Sequence, residues 1–217
     1  MNKKLFTFTF LLFITATTHN LLAENGVRVG IDYSCLDSKK YRSEWKWGYN
    51  VGLLHHFKIS NNFGIQAELS YCTKGGIYTK WAVDPNDLRT ILGEVYDVKK
   101  ESYIELPILT RFEQHLYRNQ SVSLLAGFHI SYLIDAKEIM NEDNKLGIIE
   151  ITRDDEYLLN KIDYGLIYGI EYAFTIFNMS LFIDFRHNIG LRTIEEKSHW
   201  NGEYHHNLVL SSFGVRF

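Results

Sequence analysis

The chain has 217 residues, a net charge of −3, 14 Tyr, 14 Phe and only 2 Pro. That charge offers no electrostatic case for nucleic-acid binding, and a ring-rich, proline-poor composition excludes disorder and favours β-structure. The length suits one large or two small domains.

The first segment reads as an export signal. Asn2-Lys3-Lys4 is basic, Leu5 to Ile14 is apolar apart from threonines, and Leu21-Leu22-Ala23 precedes Glu24. This layout predicts a signal peptide over residues 1–23, because an apolar run of roughly ten residues cannot span a bilayer. Its removal takes Lys3 and Lys4 and no acid, so the charge moves from −3 to −5.

Every later element alternates with a period of two, which means strands with two unlike faces. The first, Val27 to Cys35, sets Val27, Val29, Ile31 and Tyr33 against Arg28, Gly30, Asp32 and Ser34. The second, Gly48 to Ile59, sets Tyr49, Val51, Leu53, His55 and Phe57 against Asn50, Gly52, His56 and Lys58. The third, Phe63 to Lys74, opposes Phe63, Ile65, Ala67, Leu69 and Tyr71 to Gln66, Glu68, Ser70 and Lys74. In the fourth, Tyr103 to Glu113, Ile104, Leu106, Ile108 and Phe112 oppose Glu105, Arg111 and Glu113. The fifth, Val122 to Asp135, opposes Leu124, Phe128, Ile130 and Tyr132 to Ser123, Gly127, His129, Ser131 and Asp135.

The sixth, Ile162 to Phe174, is the cleanest. Tyr164, Leu166, Tyr168, Ile170 and Tyr172 lie on one face, with Asp163, Gly165, Gly169 and Glu171 on the other. The seventh, Met179 to Ile189, sets Leu181, Ile183 and Phe185 against Asp184, Arg186 and Asn188. The eighth, Asn207 to Phe217, sets Val209, Phe213 and Val215 against Ser212, Gly214 and Arg216. Short turns alternate with long connections near 37–46, 75–101, 137–160 and 192–206, so the long ones share one end. This predicts a single domain, 24–217, folded as an all-β, eight-stranded antiparallel up-and-down barrel. Cys35 and Cys72 fall on strands that are not neighbours, which predicts separate thiols rather than a disulfide.

The wet face follows from volume. An eight-stranded interior could not hold the roughly forty apolar and aromatic residues of these strands, as a lipocalin-like soluble barrel would require. Turned outward they suit lipid, and strands of about ten residues match the bilayer. The polar faces then meet inside. Arg28, Asp32, Lys58, Glu68, Lys74, Glu105, Arg111, Glu113, Asp163, Glu171, Asp184, Arg186 and Arg216 are expected to form a lumen network.

Several of these segments also resemble the PorT-type outer-membrane β-barrel (porin) family of Gram-negative bacteria. They are Gly26-Val27-Arg28-Val29-Gly30, Ala67-Glu68-Leu69-Ser70-Tyr71 with Lys74-Gly75-Gly76, Tyr103 to Leu109, Asp163-Tyr164-Gly165, and Arg186 to Leu191. Phe217 resembles the terminal aromatic that serves as an outer-membrane assembly signal. The resemblance implies an exported outer-membrane barrel with membrane lipid and the barrel-assembly machinery as partners. It implies little about activity, although PorT itself is associated with secretion.

No constellation points to chemistry. His55-His56 and His205-His206 point to opposite strand faces, and the acids of 138–156 lack calcium-loop spacing, so no metal or other cofactor is expected. Ser70, His129 and Asp135 lie on different strands without a motif. Pro107 inside a strand predicts a local bulge. The expected function is non-enzymatic. The long connections, with Tyr78, Trp81, Tyr96 and Tyr157, would face outward and serve surface interaction with an extracellular or envelope partner, or envelope integrity, with the termini periplasmic. The alternatives are a secretion-apparatus component, a narrow channel and a rim-located lipid or peptide hydrolase.

Overall fold

The computed structural model describes residues 23–38, 43–83, 91–144, 147–154, 159–177, 179–194 and 204–217. Side chains are described for all of these except 23, 38, 79–96 and 140–154. Residues 1–22, which are all of the expected signal peptide 1–23 except its last residue, lie outside that set.

Ten strands form in chain order: β1 (Ala23–Ser38), β2 (Ser43–Glu44), β3 (Lys46–Lys58), β4 (Phe63–Val83), β5 (Ile91–Tyr117), β6 (Gln120–Asn144), β7 (Gly147–Asp154), β8 (Ile162–Ile176), β9 (Met179–Gly190) and β10 (Tyr204–Arg216). Eight of them make the wall in the order β4-β3-β1-β10-β9-β8-β6-β5, and β5 pairs back onto β4 to close it. Closure leaves no open sheet edge in the wall, as a spanning sheet requires. β2 adds to β4, and β7 adds to β6.

The faces segregate as the alternation requires. Along β8 exposed Tyr164, Leu166, Tyr168 and Ile170 alternate with buried Asp163, Gly165 and Ile167. Val29, Ile31, Phe128, Phe185 and Phe213 face outward, while Arg28, Glu68, Arg111, Glu171 and Arg186 are buried inside. Leu54, Leu125 and Phe182 also point inward, filling volume between the charges. Gly214 makes room for one of them, since a Cβ there would strike the Phe182 ring.

Four expectations need correction. The connections 75–101 and 137–160 are largely strand: Gly75 pairs with Lys100 and the ladder continues to Val83 and Ile91, while 147–154 pairs with β6 as β7. Beyond the bilayer neither face meets lipid, so the two-face signature fades while β-forming residues such as Ile77, Val95 and Ile148 keep the backbone extended. Pro107 causes no bulge. Ala67 pairs with Ile108 and Ser70 with Glu105 in one register, with no pairs between them, because proline supplies no N–H there.

Asp135 is the third correction. A register shift at Ser102 and Tyr103 turns it outward, where it meets Lys137 at 3.8 Å. The fourth is Lys58, which lies exposed at the turn-end mouth. At the end of the wall its flexible stem carries the ammonium toward water. Cys35 and Cys72 are both free and buried, on β1 and β4, with β3 between them.

Candidate functional site

The lumen is filled by polar side chains whose direct contacts fall into three layers. Nearest the turns, Glu171 of β8 receives Arg111 of β5 at 2.7 Å and also Arg216 of β10. Arg111 also meets Glu113 at 3.3 Å, and the Arg216 guanidinium lies over the Phe182 ring, 4.3 Å from its centre. In the middle layer, Glu68 of β4 accepts Arg28 at 3.2 Å, Arg186 at 2.8 Å and Gln66 at 2.5 Å. Asp184 binds Arg186 at 2.8 Å, and Asn50 links Arg28 to Asp32.

The third layer lies toward the long hairpins. Lys74 donates to Glu105 at 2.6 Å and lies 3.6 Å from Asp163. Ser131 donates to the same Glu105 at 2.9 Å, with His129 at 3.2 Å. Above them His206 of β10 bridges Asp163 at 3.0 Å and Glu101 at 2.8 Å, and Tyr103 donates to Glu101 at 3.0 Å. Buried charges held this way need every partner in place, because one unpaired ion costs several kcal/mol.

The arrangement also takes in Asn50, Gln66, Ser131 and Asn188, which alternation puts on the inward faces, and Glu101, Tyr103 and His206, which it did not single out. For Glu101 and His206 the signal was available. Extending the odd-in phase of β5 and the even-in phase of β10 by one turn of the pleat places both inside. Lys58 stands apart from the layers, holding Glu24 at 2.5 Å on the rim with His56 at 3.6 Å. Glu24 lies below Val27, the first lipid-facing residue of β1. The His56 contact lowers its carboxyl from 4.5 to about 2 against its partial burial, with Lys58 adding to the effect.

Both ends of the lumen are shaped differently. At the turn end a vestibule of about 440 Å³ is lined by His56, Lys58, Asn62, Arg111, Glu113 and His115, and Arg111 of the first layer lines its wall. At the hairpin end Tyr78, Tyr103, Leu133, Leu159, Ile194 and Tyr204 form an apolar plug. The segments bearing Leu159 and Ile194 are stitched together, with Asn160 N–H donating to Ile194 O at 2.7 Å and Ile194 N–H to Tyr204 O at 2.9 Å. Lys99 lies 5.8 Å from both the Tyr78 and Tyr204 rings.

Ser70, His129 and Asp135 are not assembled. Ser70 and His129 are buried on β4 and β6, and Asp135 is on the outer surface. His55 and His56 likewise diverge, to Asn25 at 2.7 Å and toward Glu24. Among the described residues no group of three His, Cys, Asp or Glu is placed to hold a metal. The side chains of Trp81, Tyr96 and Tyr157, and the acids Glu142, Asp143, Glu150, Asp154, Asp155 and Glu156, lie outside the described side chains.

The model of the outer membrane protein β-barrel domain family matches residues 16–196. Among solved structures, the chain is similar to Ail, the attachment invasion locus protein of Yersinia pestis, at 14% identity and TM-score 0.41, covering 91% of this chain and 100% of that one. It is also similar to Neisserial surface protein A, at 10% and 0.47, covering 89% and 97%. OprG from Pseudomonas aeruginosa gives 8% and 0.45, covering 90% and 96%. No curated protein matches significantly. The chain belongs to the outer membrane protein β-barrel domain family, and it resides in the outer membrane.

Proposed function

Starting from an outer-membrane barrel of this family, we propose a non-enzymatic surface protein that acts through its hairpin end. One observation carries this reading: the lumen is crossed by buried ion pairs and capped by an apolar plug, while β4, β5 and β6 run on past the lipid-facing band. Lipid-facing residues of β5 end at Ile104, yet the strand begins at Ile91, which is roughly 40 Å farther along an extended chain. The wall needs no such length to span the membrane. A projecting sheet of β2, β4, β5, β6 and β7 on a rigid base is the arrangement of a contact surface.

The orientation proposed with it puts the hairpin end outside the cell and the turns in the periplasm. Within the family, the quoted motifs support a PorT-type member, and a place in a secretion apparatus is compatible with a sealed barrel that presents a docking sheet. The test is deletion of residues 78–97. The shortened protein should stay a folded, heat-modifiable barrel but lose binding of whole cells to host or envelope surfaces. Steady unitary conductance of the intact protein, or turnover of lipid or peptide that depends on Ser70 or His129, would overturn the reading.

A further inference from the structure

The outer wall carries polar groups where lipid-facing strands should have none. Tyr168 of β8 and His187 of β9 are opposite one another and face outward. Along the strands they are flanked by exposed Leu166 and Ile170 and by exposed Phe185 and Ile189. The Tyr168 hydroxyl lies 2.6 Å from His187 Nδ1, the two rings meet edge to face, and His187 Nε2 lies 2.7 Å from Asn207 Oδ1 on β10. A carbonyl oxygen only accepts, so Nε2 carries a proton and donates to Asn207, and the Tyr168 hydroxyl is the partner of Nδ1. The relay ends on the Asn207 amide nitrogen, whose two hydrogens meet no acceptor among the described residues.

Below this relay an apolar groove of about 600 Å³ runs from β6 across the same three strands, lined by Leu124, Tyr168, Ile170, Phe185, His187 and Val209. Asn207 sits near the hairpin end of β10, which begins at Tyr204. The groove is therefore at hydrocarbon depth and the free amide donors are at its upper end, the order of an acyl chain and its ester. Polar groups on a lipid-facing wall are costly unless they are used.

We propose that the β8–β9–β10 wall is a specific site for one membrane lipid of the hairpin-side leaflet. An acyl chain lies in the groove, and its ester carbonyl accepts from the Asn207 amide. The relay contains no Lys or Arg, so it suits a carbonyl better than a phosphate. Tyr168 and His187 are positioning residues that hold the Asn207 oxygen and so turn its nitrogen outward.

The experiment uses the full-length protein in phosphatidylcholine vesicles containing a photoactivatable phosphatidylcholine with a diazirine on its acyl chain. Labelled peptides are located by mass spectrometry. Wild type should concentrate adducts on residues 164–190 and 204–213. Asn207→Leu, or an ether-linked version of the probe, should reduce that excess about fivefold, as expected for one hydrogen bond. His187→Phe should act in the same direction, and heat-modifiable mobility checks that each variant is folded. Adducts spread evenly around the wall, or no difference between ester and ether probes, would overturn the proposal. So would a wall shielded from the probe in a species of doubled mass, since a second copy would then be the occupant.

Discussion

Arg186 Nη1 on β9 meets Glu68 Oε1 on β4 at 2.8 Å, and these strands lie four places apart in a wall of eight, on opposite sides of the lumen. Glu68→Ala or Arg186→Ala leaves a buried ion without its cross-lumen partner. Each should cost about 3–5 kcal/mol, read as a lower urea midpoint in vesicles by tryptophan fluorescence. The double change to leucine should recover much of that loss. Single variants as stable as wild type would show that the tie is not formed.

The same tie, the His206–Glu101 contact from β10 to β5 and the apolar plug together block the lumen. In planar bilayers the intact protein should give no steady unitary current. Its Glu68→Ala, Arg186→Ala double variant should leak. A quiet double variant would mean that the plug alone makes the seal.

His206 joins the hairpin-bearing β5 to β8 through Glu101 and Asp163. His206→Leu should strand both carboxylates, with a loss again of about 3–5 kcal/mol. It should also loosen the hairpin end first, so limited proteolysis should cut near residues 93 and 141 faster while the turn at Asn61 is unchanged. Uniform acceleration at all three places would count against a local role. With the protein inserted in cells, access at 93 and 141 but not at 61 also tests the proposed orientation.

Glu24 gives a pH dependence. Its folded value of about 2 lies below the ordinary 4.5, so its stabilisation is present above 4.5 and is lost as pH falls toward 2. Solvent screening at this partly exposed rim holds the effect below about 1 kcal/mol. The stability gap between wild type and Glu24→Gln should be largest near about pH 6 and close on acidification across that window. A gap that widens in acid would reverse the assignment.

Gly214→Ala should destabilise the barrel by about 1–3 kcal/mol, because the new methyl meets the Phe182 ring and the Val27 carbonyl together. Pairing it with Phe182→Leu should restore part of the loss, measured by the same urea midpoint. No recovery would place the clash on the backbone alone.

Alternation along β8 was enough to tell lipid from lumen, because each outward position there has one environment. It said less where environments mix. Phe182 and Leu54 point inward among charges, since a packed lumen selects for volume as well as polarity. Asp135 follows the inward phase in sequence and leaves it only because β6 shifts register against Ser102 and Tyr103. Partners such as Glu68 and Arg186 could not be read at all. They are 118 residues apart and are set by closure and stagger of the wall, not by any local spacing.

A bond between opposite strands cannot exist in a half-built wall. Arg186 and Glu68 come within reach only after β1 has met β10, the first strand with the last. The tie is thus absent while the strands assemble and present once they have finished. Interactions made after the folding barrier slow unfolding without hastening folding. The pair therefore sets how long a completed barrel survives, and pairing between neighbouring strands sets how quickly one is made.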